Sequence, residues 1–399
     1  MIIDAHVHFT PPELAANLQA FIAAEPYWGL LMGGPDSPQG WASAGRMIDD
    51  MDRAGVDRVI LVGEYRRSAE ACAGRNDVGI ELGRRFSDRI LPFAVIQPKA
   101  GKAALEELKR CVDLGMRGVG ELGPYGQGYR LDDPDFLRLV EACIRYDLPV
   151  NLHVNEEVGA YYPGKATTPL VHYYRLAERY PELKLILAHW GGGLLFYELS
   201  AQARRVMRNV YYDTAASPLL FETPRIFAAA LACISPRKIL YATDYPLRLY
   251  GRKQAEPTME PFLAEVAALD LDDAVRRDIL GRNAARLLGL IPPAPSEESG
   301  APRPRRVTVI PELAGDEETI LPNMAVAAVA LAWPSTRSVF DRHGIPWQDQ
   351  AVPYWEPILQ AAAVRGYGPD QQARLLGELA EAARADAGPR DGAHPRAGD

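Results

Sequence analysis

Of the seven histidines in this chain, four fall at the ends of short apolar runs: His6 and His8 in MIIDAHVHF, His153 in PVNLHV and His189 in KLILAH. An aspartate, Asp244, closes another such run, KILYATD. Side chains two apart in a β-strand share a face, so His6 and His8 can reach into one cavity. Imidazole nitrogens joined by a carboxylate oxygen suit a single divalent transition metal, zinc first, with manganese, iron or nickel as alternatives. Such an ion lowers the pKa of a bound water from about 15.7 towards about 7. Asp244 could take that water's proton as well as ligate, with His189 stabilising the developing charge. A lone histidine is more often a satisfied core residue. Histidines and an aspartate together at the ends of strands one, five, six and eight outweigh that reading.

These residues need a scaffold that gathers strand ends. The strand candidates are MIIDAHVH (1–8), DRVILVG (57–63), ILPFAVI (90–96), RGVGEL (117–122), PVNLHV (149–154), KLILAH (184–189), NVYYDT (209–214) and KILYATD (238–244). Most are nearly continuous in Val, Ile, Leu and Tyr, as parallel strands covered on both faces are. Helical patterns separate them; SAGRMIDDMDRAG should end at Gly55 and ALEELKRCVDLG at Gly115. Eight strands alternating with helices predict an α/β fold, a (β/α)8 TIM barrel, whose C-terminal strand ends hold the active site. The competing open doubly wound sheet lacks its G-x-G-x-x-G fingerprint. Residues 271–290 read as closing helices, so the barrel covers 1–290. A linker rich in Pro, Ser, Gly and Arg follows at 291–306, then a small helical domain at 307–385 and a disordered tail at 386–399. Asn323 and Ser335 are candidate N-caps in that domain, and Gly344 a helix end.

DAHVHF, NLHV, LAHWGGG and YATDYP, with the helix GRNAARLLGL, resemble the amidohydrolase-related branch of the amidohydrolase superfamily. That branch includes aminocarboxymuconate-semialdehyde decarboxylase and related aromatic-acid decarboxylases. The resemblance covers about residues 1–290 in order and spacing. It implies a distorted barrel with one catalytic divalent metal on His6, His8, His153 and Asp244. By the same resemblance, His189 polarises the substrate or helps to activate metal-bound water. Many superfamily members bridge two metals with a carboxylated lysine on strand four. RGVGEL has none, and offers Glu121, which resembles the strand-four glutamate of metal-dependent deoxyribonucleases in the same superfamily. Glu121 could face a metal, orient substrate or pair with a cation. Beyond the barrel, PSTRSVFDRHGI resembles faintly the small helical domains associated with iron–sulfur repair proteins, but without the cysteines that usually follow there, which points to a structural or partner-binding module.

Further polar residues sit in the strand-end loops. Trp190, Lys165, Tyr125 and Arg248 are the candidate substrate contacts, with Glu64, Tyr65, Arg66, Arg67, Tyr129, Tyr161 and Tyr162 beside them. The basic ones point to an anionic or carbonyl substrate. The glycines at 191–193 suit a helix N-terminus approaching the pocket or a tight turn. His172, His343 and His394 are not assigned to the metal.

Composition sets the outer limits. A formal net charge of −8 argues against nucleic acid as a main partner, since phosphate binding needs clustered Lys and Arg. No apolar run approaches the roughly 20 residues of a membrane span, and no export signal opens the chain. The four cysteines, far apart, read as buried reduced thiols in a cytoplasmic protein. The first expectation is a hydrolase, in which metal-activated water attacks a lactone, ester or amide of a small, anionic molecule. The alternative is a non-oxidative decarboxylase of a small unsaturated or aromatic acid. A non-catalytic binding module would be expected to lack part of the metal cage. A homodimer is compatible with all three.

Overall fold

The computed structural model describes residues 1–32, 37–160, 162, 165, 168–292, 320, 324, 326–347 and 358–386. Eight parallel strands form in the expected places: β1 (Ile3–Val7), β2 (Arg58–Leu61), β3 (Ile90–Pro92), β4 (Val119–Leu122), β5 (Val150–Leu152), β6 (Leu185–Leu187), β7 (Val210–Asp213) and β8 (Ile239–Leu240). They run as two ordered sheets, β1-β2-β3 and β4-β5-β6-β7-β8. Two parallel bridges, Ala94 with Val119 and Val7 with Tyr245, join the sheets into a closed ring. At the second seam His8 N donates to Tyr245 O at 2.7 Å and Asp244 N to His6 O at 3.0 Å. The fold is a (β/α)8 barrel. Several strands are shorter than their apolar runs because the chain leaves the ladder to aim side chains at the pocket. His189 (φ 56°) and Asp244 (φ 67°) take left-handed backbone conformations that no strand accommodates.

The helices begin and end where the local chemistry directs. Ser43 Oγ accepts from Arg46 N at the start of the helix Ala44–Ala54, and Gly55 ends it at φ 71°. Ser68 opens Ala69–Arg85 in the same way, and Asp133 opens Pro134–Arg145. One core layer packs strand residues such as Val59, Leu61, Val150 and Leu185 with helix residues such as Met47, Ile80, Leu108 and Phe136. Cys72, Cys111 and Cys143 belong to this layer as free thiols. A second layer, including Ile3, Ile60, Phe93, Ile186 and Leu240, joins strands of both sheets with Ala284, Ala285 and Leu287 of the closing helix Asn283–Leu287. That helix is drawn onto the ring by two contacts. A Cβ at Gly281 would lie 2.6 Å from Met1 O, so only glycine lets the chain pass this close. Asn283 Nδ2 donates to Pro236 O and Ile239 O, at 2.8 and 2.9 Å.

The chain divides into two compact units, Met1–Gly300 and Ala301–Asp399. In the second, the helices Val326–Ala332, Arg337–Arg342, Ile358–Val364 and Pro369–Asp386 gather a core that includes Val329, Phe340, Ile358, Leu375 and Leu379. Gly344 (φ 61°) follows the end of its helix as expected. Ser335 does not cap that helix. It lies within the 3-10 turn Pro334–Thr336, and its hydroxyl donates to Asp386 Oδ1 at 2.5 Å, so its oxygen is turned to another helix. The expected cap Asn323, the linker from 293 onward and the tail from 387 lie outside the described residues. Among the described residues, no helix is long and apolar enough to cross a membrane. Because Asn283 satisfies two backbone carbonyls beneath the ring, Asn283→Ala should lower unfolding stability by about 1–3 kcal/mol in denaturant titration, with the native circular dichroism spectrum retained.

Candidate metal centre

β1 presents His6 and, one residue past its end, His8; β4 presents Glu121, His153 follows β5 directly, and His189 and Asp244 lie just beyond the ends of β6 and β8. All six side chains meet at one end of the ring, in two groups whose ligand atoms lie close enough to share an ion: His6, His8 and Asp244, and Glu121, His153 and His189. In the first, His6 Nε2 and His8 Nε2 face each other at 3.1 Å. Asp244 Oδ1 stands 3.7 Å from the former and 3.5 Å from the latter. Glu121 Oε2, of the second group, stands 3.8 Å from His6 Nε2 and 4.0 Å from His8 Nε2. Ligands about 2.1 Å from one ion stand about 3.4 Å apart in a tetrahedron, so these atoms fit a divalent metal with little adjustment. The other Glu121 oxygen, Oε1, lies 2.7 Å from His153 Nδ1, which brings the expected fourth ligand, His153, into the same cluster. His189 Nε2 lies 3.3 Å from that same nitrogen and 3.6 Å from Glu121 Oε1.

The orientation of His6 depends on a residue that strand-end reasoning passed over. Asp213 Oδ2, at the end of β7, stands 3.0 Å from His6 Nδ1. An Nδ1–H pointed at a carboxylate turns Nε2 to the centre, where a metal ion would take the place of its proton. Asp213 is itself held by Asn151 Nδ2 at 3.2 Å and by the backbone N–H groups of His189 and Ala215, at 2.9 and 3.1 Å. The signal was present in NVYYDT, where Asp213 closes an apolar run as Asp244 does in KILYATD.

The electrostatics favour positive charge at the centre. Burial opposes a charge on His6, yet Asp213, Glu121 and Asp244 raise it to about 10. His189 is raised to about 9 against the same burial penalty by Glu121 and Asp244. Burial would raise Glu121 in turn, but His153 and His6 hold it well below the usual carboxylate range. Glu64 is a separate case: burial works to raise it, while Arg75 at 2.5 Å and Arg66 at 3.5 Å keep it down at about 2. Its other oxygen lies 3.7 Å from His8 Nδ1, an atom with no hydrogen-bond partner among the described residues.

The substrate contacts expected from sequence divide. Tyr125 is exposed at the start of the short helix Pro124–Gln127. Trp190 is fully buried, its Nε1 donating to Ser217 Oγ at 2.9 Å and its ring edge-on to Phe227. No face of that indole is left for a substrate, because its left-handed backbone (φ 58°) turns it into the core. Lys165 donates to Glu156 Oε1 at 2.7 Å, and Arg248 to Ser37 O at 2.8 Å. Lys165 is thereby paired with a carboxylate, whereas Arg248 meets only a carbonyl and its buried Nε has no hydrogen-bond partner among the described residues. Arg66 serves Glu64, Tyr65 is buried, and Tyr161 lies outside the described residues. The glycines 191–193 all have positive φ and form a tight turn; a Cβ at Gly192 would meet Asn155 O at 2.5 Å. Two further residues escaped sequence reasoning. Asn155 Oδ1 lies 3.1 Å from His153 Nε2 and accepts from Tyr162 Oη at 2.8 Å. Tyr27, half-buried, sits beside Tyr65 with ring centroids 6.0 Å apart.

Comparison with known proteins agrees with this architecture. A family model described as Amidohydrolase matches residues 3–290. Gamma-resorcylate decarboxylase from a Rhizobium species is 26% identical over 297 residues, covering 60% of this chain and 86% of the relative. The 2-amino-3-carboxymuconate-6-semialdehyde decarboxylase of Dictyostelium discoideum is 22% identical over 283 residues, covering 61% and 74%. Among solved structures, 5-carboxyvanillate decarboxylase from Novosphingobium aromaticivorans, complexed with manganese and a nitrobenzoic acid, has the same fold. It superposes with a TM-score of 0.57 at 18% identity, over 72% of this chain and 96% of that one.

Two outcomes follow from the geometry. Asp213→Ala removes the acceptor that orients His6, and should weaken manganese binding about 10–100-fold in a metal titration. Arg75→Met leaves Glu64 buried beside fewer positive charges and should cost about 3–5 kcal/mol of stability near neutral pH. Because the Glu64 value is depressed, its contribution is complete above the ordinary 4.5 and is lost as pH falls towards about 2. The acid unfolding of Arg75→Met, followed by tryptophan fluorescence, should therefore begin at higher pH than that of the parent.

Proposed function

The chain belongs to the amidohydrolase family, and from that premise we propose that it is a metal-dependent, non-oxidative decarboxylase of a small aromatic or unsaturated acid. The observation that carries this reading is the set of phenols around the carboxylate-rich cage. Tyr27 feels the charge of Glu121 and lies near Tyr125, while Tyr162 feels Asp244 and lies near Tyr27. Burial pushes Tyr27 up to about 12, so it is a neutral O–H donor at working pH. Phenol rings with polar tips suit a flat aromatic acid carrying hydroxyl groups. Both curated relatives described above are decarboxylases by name. They favour the alternative reading of the sequence over the hydrolysis expected first.

The metal is assigned to His6 Nε2, His8 Nε2, Asp244 Oδ1 and Glu121 Oε2. Two nitrogens with two carboxylate oxygens suit manganese at least as well as zinc, and manganese is the ion in the related structure. When bound, it supplies a Lewis-acid anchor for the substrate's carboxylate and an adjacent oxygen. In the reaction the bond to the carboxylate breaks, its electron pair stays on the ring carbon, that carbon takes a proton, and carbon dioxide leaves. Asp244 is the group placed to carry that proton, with Oδ2 3.8 Å from His189 Nδ1 at the junction of the two groups. His189 Nδ1 is turned to Ala215 O at 3.1 Å, so its Nε2 is the nitrogen that faces the cavity. The phenols orient the ring, and every residue assigned to the chemistry lies in the first compact unit.

The test is carbon dioxide release by the full chain with manganese, across gamma-resorcylate and related hydroxybenzoates. Release should stop with a chelator and fall about 10²–10⁴-fold in Asp244→Asn. Turnover of lactones or esters, with no acid decarboxylated, would restore the hydrolase reading.

A further inference from the structure

Asp244 stands at φ 67°, a left-handed conformation that a residue with a Cβ keeps only where its surroundings hold it there. An aspartate settles into this region most easily when its own carboxylate bonds the backbone nearby. Here the carboxylate is turned to the histidines instead, with Oδ1 3.5 Å from His8 Nε2 and Oδ2 3.8 Å from His189 Nδ1. Other groups must therefore fix the turn, and they lie on its two flanks.

Before Asp244, Thr243 is fastened by Asp4 of β1. Asp4 Oδ1 accepts from Thr243 N at 3.0 Å and from His6 N at 3.2 Å, and Asp4 Oδ2 accepts from Thr243 Oγ1 at 2.6 Å. Because that hydroxyl's proton goes to Asp4, its oxygen can accept in turn, and it takes Tyr245 N at 3.0 Å. After Asp244, the Tyr245 hydroxyl donates to Asp50 Oδ2 at 2.5 Å. Asp50 belongs to the helix Ala44–Ala54 and is itself held by Arg46 Nε at 2.9 Å and by Arg53. Asp4, Asp50, Thr243 and Tyr245 are all buried, so water does not compete for these hydrogen bonds. We propose that Asp4 and Asp50 are positioning residues of the centre: acting through Thr243 and Tyr245, they hold Asp244 in its left-handed turn and so set how tightly the centre binds its cation. The inference rests on the metal assigned under the proposed function. Asp4 spans the seam of the ring, since the oxygen that holds Thr243 N also holds His6 N. One carboxylate thereby fixes the spacing between a ligand of β1 and the ligand after β8.

Manganese titration of the full chain tests this with single hydroxyl removals that leave both carboxylates in place. Thr243→Val and Tyr245→Phe should each weaken manganese binding about 10–100-fold while the circular dichroism spectrum stays native. Thr243→Ser, which keeps the hydroxyl, should bind as the parent does. Tyr212→Phe is the control for packing alone: it removes another buried phenol, one that donates to Glu198 Oε1 at 2.7 Å, and should leave manganese affinity unchanged. Equal losses in Tyr212→Phe and Tyr245→Phe, or in Thr243→Ser and Thr243→Val, would reduce these contacts to general stability and overturn the inference. Affinity like the parent's in both Thr243→Val and Tyr245→Phe overturns it as well. A parent that binds no manganese overturns the metal reading beneath it, and this inference with it. Should Thr243→Val fail to fold, Tyr245→Phe against Tyr212→Phe carries the test.

Discussion

Where the ring protons of the histidines are pinned decides what the strand ends can do. Asp213 faces the Nδ1 of His6, and the Ala215 carbonyl faces that of His189. Each of these contacts turns the opposite nitrogen towards buried carboxylates. Lone pairs and carboxylates gathered in a low-dielectric pocket repel one another unless positive charge lies between them. A pocket built this way is a cation site before any ligand is considered. Asp213 is central because the backbone N–H groups of His189 and Ala215 also converge on it, which couples the ends of β6 and β7 to the orientation of His6.

The barrel makes this arrangement tolerable by separating neutralised charge from charge left for an ion. Glu64 is buried close to the pocket but is matched by Arg75 and Arg66. Asp4, on β1 below His6, is raised by burial to about 7 despite hydrogen bonds from Thr243, so the protein does not force full charge on it. Glu121 and Asp244 have no arginine or lysine within ion-pair distance among the described residues; their partners are the histidines. At the opposite end, Gly281 and Asn283 press the closing helix onto β1 and the start of β8.

Fold and cage do not choose between adding water to a carbonyl and releasing carbon dioxide, because the same metal ligands serve both. The discrimination lies in what surrounds the cage. Half-buried phenols offer flat apolar faces and neutral donors, which suit a hydroxylated ring better than a flexible ester. Of the basic side chains that suggested an anionic substrate, Lys165 is held by Glu156 and Arg66 by Glu64, while Arg248 meets only the Ser37 carbonyl.

The strands, the paired histidines of β1 and the residues at the ends of β5, β6 and β8 were legible in the sequence because those signals are local. Apolar runs mark strands, residues two apart share a face, and closure of eight strands brings their ends together. Which atoms meet was not legible, since each decisive contact joins distant strands. His6 finds Asp213, and His153 turns to Glu121 while Glu121 reaches back to the β1 pair, through separations that no spacing rule encodes. Trp190 read as a pocket residue from its place after His189, but its backbone conformation directs it into the core. Lys165 read as a substrate contact until the folded loop supplied Glu156 as its partner. Sequence by itself determined the residue types and the end of the barrel they occupy; tertiary structure decided their tautomers, pairings and exposure, because a hydrogen bond is set by the atom opposite and not by the neighbour in the chain.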